Sequence, residues 1–412
     1  MKTRIVFAIF LFIFSVTNYG QEKARIMTYN ILNYPDLYTS RNQRFKTTLD
    51  YVRPDILVCQ EMTSQYAVNL FLSNVLNNKY KAATFIDGYD TDNALFYKDS
   101  LFEFISNVPI DTDLRDISQF TLRHKITNDT LLIYSVHLKA NSGQEQVRLA
   151  EVSKLRAVTD KLPVNKNYIV LGDFNTYTSS EPAFLKLLDK TTTGYFIDPI
   201  NAVGNWNNNS AFKSIHTQST RLEALPDGGS TGGLDDRFDM ILISQAVKDA
   251  GGIKYVPGTY TIVGNDGNHF NKSINLQPNN AVSSSVAEAL YYASDHLPVY
   301  AEFEFQGAVD VDEKNISVAD FSLGQNYPNP FNPSTTINFS IPSSTEYYSV
   351  LQNISLKVYD ILGNEVVTLV DESKPAGNYS VKFDGSSLVS GIYFYKLKTA
   401  SFVLTKKMLL LK

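Results

Sequence analysis

Between residues 24 and 305 the chain repeats one pattern: a short, continuous apolar run bounded by a residue able to hold a proton, a cation or an anion. "RIMTYN" ends at Asn30, "DILVCQE" at Glu61, "LLIYSVH" at His137 and "YIVLGDFN" at Asp173 and Asn175. "FDMILIS" has Asp239 near its start, and "SDHLPV" sets Asp295 and His296 just before a last run, "PVYAEFEF". Runs this apolar read as strands buried on both faces, as in the centre of an α/β sheet. Their polar ends then converge at one rim, where open α/β sheets bind ligands.

Helical periods lie between the runs. Phe45, Leu49 and Val52 share a face and stop at Pro54, and Val147, Leu149, Val152, Leu155 and Val158 fit another helix that ends before Pro163. Ser64 is placed to cap a helix carrying Val68, Phe71, Leu72 and Val75. Strands alternating with helices predict an α/β architecture. Residues 245–294 read as a long connection rich in Asn, Ser and Gly, a length unusual unless the segment is functional or partly structured.

The two ends differ in texture from the middle. Lys2 and Arg4 precede an apolar run from Ile5 to Val16, with Gly20 soon after, so residues 1–20 read as a secretory signal peptide cleaved near Gly20. That run is short for a bilayer, and no later stretch approaches about 18 apolar residues, so stable membrane insertion is not expected. Residues 21–306 form the expected main domain, 307–322 a linker and 323–412 a second domain. In the last, "ISLKVYD", "YSVKFD", "IYFYKLK" and "FVLTKKMLLL" are short strands between turns, the pattern of a small β-sandwich. It contains no His or Cys, and no chemistry is assigned to it. The single cysteine, Cys59, sits inside "ILVCQE" as a buried small hydrophobe.

Formal charge is −5 for the whole chain, +2 for the leader and +2 for residues 323–412 (eight lysines against six acids), leaving −9 between them. A body of that sign does not hold polyanions by bulk positive charge, but a bound metal ion would supply what is missing. The polar rim combines carboxylates, asparagines and two histidines without the Cys or closely spaced His ligands that zinc prefers. Hard oxygen donors with few nitrogens suit Mg²⁺. The set therefore fits Mg²⁺-assisted attack of water on a phosphate ester. Glu61 is the best metal ligand and Asp295 a second; Asp173 and Asn175, two positions apart on an extended backbone, would point the same way to handle water and a phosphate oxygen. His137 and His296 can stabilise the transition state or protonate the leaving oxygen, and a buried Asp239 would keep an imidazole charged and oriented.

In order, "TYNI", "CQE", "SVHLKA", "GDFN", "RFDMIL" and "SDHLPV" resemble the metal-dependent endonuclease/exonuclease/phosphatase superfamily over residues 24–305. That superfamily includes deoxyribonuclease I, abasic-site endonucleases, neutral sphingomyelinases and inositol-phosphate phosphatases. The resemblance implies a four-layer α/β/β/α sandwich with the site at one rim. It also implies that Glu61 binds Mg²⁺ with help from Asn30 and Asp295, with Mn²⁺ or Ca²⁺ able to take part. Asp173 would activate water beside Asn175, Asp239 would pair with His296, and His137 would serve as the general acid of the deoxyribonuclease I branch. That branch supports the histidine with a carboxylate, for which Asp90 and Asp92 are the nearest acids here. The arginine that some nucleases carry after the metal-binding Glu is absent from "QEMTSQYAVN".

"AFKSIHTQSTR" followed by "GGLDDRFDMIL" looks like secreted bacterial nucleases of the superfamily, and it places His216 and Arg221 toward substrate phosphates. "LGQNYPNPFNPSTTI", "VYDILGNEV", "LVSGIYFYKL" and the ending "TKKMLLLK" resemble the sorting domain of type IX secretion. This implies an Ig-like β-sandwich that engages the secretion machinery and directs the protein across the outer membrane. The expected function is a secreted Mg²⁺-dependent phosphodiesterase, a nuclease acting on extracellular DNA or RNA. A sphingomyelinase, a sugar- or inositol-phosphate phosphatase and a non-catalytic cell-surface binding module are the alternatives.

Overall fold

The computed structural model describes residues 22–35, 40–88, 90–249, 251–306, 322–341, 352–374, 377–399 and 403–412. The expected leader, and the expected linker apart from Ser322, lie outside the described residues. The chain divides into two compact units, residues 1–309 and 310–412.

The first unit runs β1 (Glu22–Tyr34), α1 (Ser40–Val52), β2 (Ile56–Met62), α2 (Gln65–Asn74), β3 (Lys81–Ala82), β4 (Asp92–Tyr97), β5 (Phe102–Ile110), β6 (Ile117–His124), β7 (Thr130–His137), α3 (Glu145–Thr159), β8 (Tyr168–Asp173), α4 (Pro182–Leu188), β9 (Asp239–Ile243), α5 (Gln245–Lys248), β10 (Ile253–Tyr255), β11 (Thr261–Ile262), α6 (Ser284–Ala293) and β12 (Val299–Phe305). One sheet has the order β10-β12-β1-β2-β4-β3, with β11 paired to β12, and the other the order β5-β6-β7-β8-β9. The pairs β1–β2 and β7–β8 are parallel, and the others antiparallel.

Alternation along the strands sorts side chains into layers. Leu131, Ile133, Ile169 and Leu171 join the core shared with the first sheet, whereas Leu132, Tyr134, Val136 and Val170 pack with Val152 and Leu155 of α3 and Phe184 and Leu187 of α4. Outside the first sheet, Tyr29 meets Phe45 of α1 at 5.6 Å and Phe96 stacks on Phe71 of α2 at 5.3 Å. The result is the expected four-layer α/β/β/α sandwich. Ser64 caps α2 as its sequence predicts, accepting from Ala67 N at 3.2 Å, a contact worth about 1 kcal/mol.

One expectation needs revision. The helix α3 buries Arg148, Glu151 and Arg156 along with its apolar residues, because these charges hold backbone groups of neighbouring loops; Val147 and Leu149 are only half-buried. Residues 245–294 are partly structured, the condition under which so long a connection is expected: α5, β10, β11 and α6 lie within them. Their polar composition is turn and cap chemistry, as when Asn279 Nδ2 donates to Gly264 O at 2.9 Å and Ser283 caps α6. Among the described residues no helix is long and apolar enough to cross a membrane.

The second unit contains β13 (Ser322–Leu323), β14 (Ser334–Ile341), β15 (Gln352–Tyr359), β16 (Glu365–Lys374), β17 (Gly377–Asp384), β18 (Gly391–Lys398) and β19 (Val403–Leu410). Sheets β13-β14-β17 and β16-β15-β18-β19 share one core, with Ile337 and Phe339 from the first and Leu356, Val358 and Tyr395 from the second. The Asn- and Pro-rich stretch before β14 is tied to that core: Phe331 is buried in it, Asn326 Nδ2 donates to Thr335 Oγ1 at 3.0 Å, and Tyr395 Oη donates to Gly324 O at 2.7 Å.

Candidate active site

The C-terminal ends of β1, β2, β7 and β8 and the start of antiparallel β9 meet at one rim, which opens into a cleft of about 390 Å³. Glu61, His137, Asp173, Asn175, Asp295 and His296 line it together with Gln218, Asp235 and Asp236. Asn30 and Asp239 lie just beneath, each bonded to lining residues.

Asn30 joins the sheets at this point, donating through Nδ2 to Glu61 Oε1 at 2.9 Å and to Asp173 Oδ2 at 3.1 Å. Below it a buried polar chain crosses the interlayer core: Thr28 Oγ1 donates to Gln60 Oε1 (3.0 Å), Gln60 Nε2 to Ser135 Oγ (3.1 Å) and Ser135 Oγ to Asn93 Oδ1 (2.8 Å). Each member has a partner, so the chain fixes the two sheets relative to one another without an unsatisfied polar group.

Strand alternation points Gln60, not Glu61, toward the other sheet. Glu61 reaches the rim because its backbone is left-handed (φ 64°) at a shift of strand register, a conformation that costs about 1–3 kcal/mol and clusters at functional sites. Its Oε2 accepts from Asn33 N at 2.9 Å. Burial, and then Asp295, raise its pKa. Asn175 also departs from expectation: β8 ends at Asp173, and Asn175 is left-handed (φ 50°), so extended alternation does not orient it. It is held instead by Leu138 O, to which Nδ2 donates at 3.1 Å, while its N–H donates to Asp173 Oδ1 at 3.0 Å. Gly172 cannot be replaced cheaply, since a Cβ there would lie 2.0 Å from Val136 O.

His296 Nδ1 lies 2.7 Å from Asp239 Oδ2, and its Nε2 is 3.8 Å from Asp173 Oδ2. Burial disfavours charge on this ring, but Asp239, Asp295 and Asp173 outweigh it and raise its pKa well above the ordinary value. His137 is the opposite case, lowered well below that value by burial, Arg115 and His296. Its Nε2 lies 3.6 Å from Asp173 and 3.8 Å from Glu61. Neither nearby acid supports its ring: Asp92 accepts from Gly88 N, Asp90 pairs with Arg115, and His137 Nδ1 has no partner among the described residues. Asp90 acts on the strand end instead, because Arg115 Nε donates to His137 O at 3.2 Å. Arg237 pairs with Asp198 and leaves Asp239 to the histidine.

His216 and Arg221 do not face the cleft. His216 is fully buried with Nε2 2.9 Å from Trp206 O, and Arg221, also fully buried, is held bidentately by Asp227 at 2.8 and 2.9 Å. Arg221 shapes the rim indirectly: a Cβ on Gly229 would lie 2.1 Å from its Nη2, and the adjacent Ser230 N donates to Asp295 Oδ2 at 2.7 Å. The residues of this stretch that reach the cleft are Gln218 and Ser219, uncharged positions between His216 and Arg221.

The donor set suits a divalent cation. Asp295 Oδ1 is buried without a hydrogen-bond partner among the described residues, and the charges of Asp295 and Glu61 repel each other across the same space. Hard carboxylate oxygens suit a hard divalent cation by type, while among the described residues no three His, Cys, Asp or Glu side chains are already drawn together to hold one.

The chain is similar to the solved structure of D. rerio TDP2 complexed with single strand DNA product (17% identity, 68% of this chain and 98% of that one, TM-score 0.48). Truncated C. elegans TDP2 (18% identity, 68% and 97%, TM-score 0.46) and the human Nocturnin catalytic domain with bound sulfate (18%, 69% and 97%, TM-score 0.42) are similar too. No curated protein matches the chain. Residues 325–411 match the secretion system C-terminal sorting domain, which marks the protein for type IX export to the cell surface or the extracellular space. Members of the Endonuclease/Exonuclease/phosphatase family are hydrolases of phosphoester bonds, in general dependent on a divalent metal. With residues 27–296 matching the sequence model of that family, the chain belongs to it.

Proposed function

We propose that the protein is a secreted, Mg²⁺-dependent phosphodiesterase whose substrate is extracellular nucleic acid. The observation that carries this is the meeting, in one cleft, of the Asp239–His296 pair, the buried Asp173 and the Glu61–Asp295 carboxylates. Glu61, Asn30 and Asp295 would hold the cation, which when bound supplies positive charge to the phosphate. Asp173, tethered by Asn30 and Asn175 and raised to about 7 by burial, takes a proton from water near neutral pH as the water oxygen attacks phosphorus. Asn175 keeps Asp173 and the neighbouring strand end in place. His296, held by Asp239, stabilises the charge that builds on the phosphoryl oxygens. The ester P–O bond breaks, and the leaving oxygen is met by His137. That ring is neutral before substrate arrives, so it protonates the leaving oxygen only if the phosphate's own charge first holds a proton on it.

The lining also favours a second reading. Glu61, Asp173, Asp235, Asp236 and Asp295 make the cleft acidic, and Asn33, Asn141, Ser219, Ser230 and Thr231 are neutral. Such a surface accommodates one phosphate beside a cation more readily than a run of them, as in sphingomyelin or a sugar phosphate. The deciding experiment incubates the purified chain with duplex DNA, single-stranded DNA, RNA, sphingomyelin and inositol phosphates, each with Mg²⁺ and with chelator. Chelator-sensitive cleavage of nucleic acid is expected; preference for sphingomyelin or inositol phosphates would establish the second reading, and hydrolysis indifferent to chelator would contradict both.

Deleting residues 323–412 should leave hydrolytic activity intact but hold the protein inside the cell envelope. Fractionation showing normal release of the truncated chain would contradict the sorting role.

A further inference from the structure

Gln218 is pinned by its backbone between the two segments that supply the cleft's far wall. It forms bridges with Asp236 on one side and His296 on the other; its carbonyl accepts from Asp235 N at 2.9 Å and Asp236 N at 3.0 Å. From His216 to Arg221 it is the residue left half-exposed, while its neighbours are buried. Its side chain takes no part in that ladder. Nε2 lies 2.6 Å from His296 Nε2 and 3.4 Å from Asp295 Oδ2.

The imidazole is held at Nδ1 by Asp239, so Nε2 is its working atom, and the Gln218 amide stands directly against it. Two nitrogens at this distance bond only if one accepts. A ring protonated at Nδ1 alone accepts from the amide N–H, or the amide turned by 180° accepts through Oε1 from a charged ring. In both arrangements Gln218 occupies the direction that a phosphate oxygen needs in order to meet His296.

We propose that Gln218 is a substrate-contacting residue: its amide yields this place to a phosphate oxygen and then donates its own N–H to the same phosphate. This rests on the reading of the cleft as a phosphoester site. An uncharged donor on a three-torsion arm suits the role, because the surrounding carboxylates repel a phosphate and the arm can turn without moving the backbone bonds that hold the wall.

Two variants test it. Gln218→Leu keeps the bulk and removes the donor, and Gln218→Glu keeps the shape and adds a repelling charge; both leave the backbone ladder in place. Inorganic phosphate binding to the full chain with Mg²⁺, followed by calorimetry, should weaken at least about 10-fold in Gln218→Leu and further in Gln218→Glu, the effect of losing a hydrogen bond to a charged group. Phosphate affinity within twofold of wild type in Gln218→Leu would overturn the proposal, even if turnover fell, since Gln218 would then only position His296. Failure of the wild-type chain to hydrolyse bis(4-nitrophenyl) phosphate would count against the phosphodiesterase reading, with Gln218 still judged by phosphate affinity. Failure of wild type to bind phosphate would overturn the proposal.

Discussion

Asp173→Asn is expected to lower turnover by about 10³-fold while leaving divalent-cation binding nearly intact, within the range that a positioned general base contributes. The substitution keeps the side chain's shape in a site where Asp173 is 2% exposed and bonded on both oxygens. It removes the ability to take a proton. Burial pushes the Asp173 carboxyl up to about 7, helped by Asp239 and Glu61 and opposed by His296. Wild-type turnover should therefore rise with pH as Asp173 loses its proton, at a midpoint that the bound cation draws below the metal-free value, and the residual rate of the variant should lack that step. Turnover of Asp173→Asn within tenfold of wild type would remove Asp173 from the proton transfer.

Glu61→Ala should abolish metal-dependent hydrolysis with little unfolding, and the pH dependence of the metal-free wild type's stability has a definite sign. Glu61 and Asp173 are raised by burial, so the metal-free fold binds more protons than the unfolded chain above the ordinary carboxylate range, and stability falls as pH rises. His296, raised by its acidic partners, adds stability that is complete below about 6.5 and is lost as pH rises through its folded value. His137, lowered, opposes this trend only below about 6.5. Above that pH the metal-free wild type should lose thermal stability, and Mg²⁺ should restore more of it at pH 8 than at pH 6. In Glu61→Ala the Mg²⁺-induced shift in melting temperature should largely vanish. An undiminished shift would mean that Glu61 does not hold the ion.

The layers of the fold and much of the site were legible because buried strands must end somewhere: β7 and β8 end on His137 and Asp173, and Asn30 and Glu61 lie in the last residues of β1 and β2. What strand periodicity misjudged were places where the backbone leaves the regular strand. Alternation directs Gln60 rather than Glu61 across the layers and assigns Asn175 to an extended strand, whereas left-handed backbone at Glu61 and Asn175 decides both orientations. In "HTQSTR" the charged residues are the natural phosphate ligands by type, yet His216 and Arg221 are turned inward onto Trp206 and Asp227, contacts that bring together separate parts of the surrounding loops. Gln218 has no charge to announce it, and only the isolated bridges its backbone makes with Asp236 and His296 set it at the site. The same holds for Asp90, which bears on His137 through Arg115, a residue from the loop before β6.

All of these roles depend on Glu61, Asn30 and Asp295 sharing one divalent cation. Crystals soaked with Mn²⁺ and measured at the manganese absorption edge test that dependence directly. One strong anomalous peak within about 2–2.5 Å of a Glu61 carboxylate oxygen, in the cleft it shares with Asp173 and His296, is the predicted result. A peak elsewhere, or no peak in this cleft at saturating Mn²⁺, would contradict it.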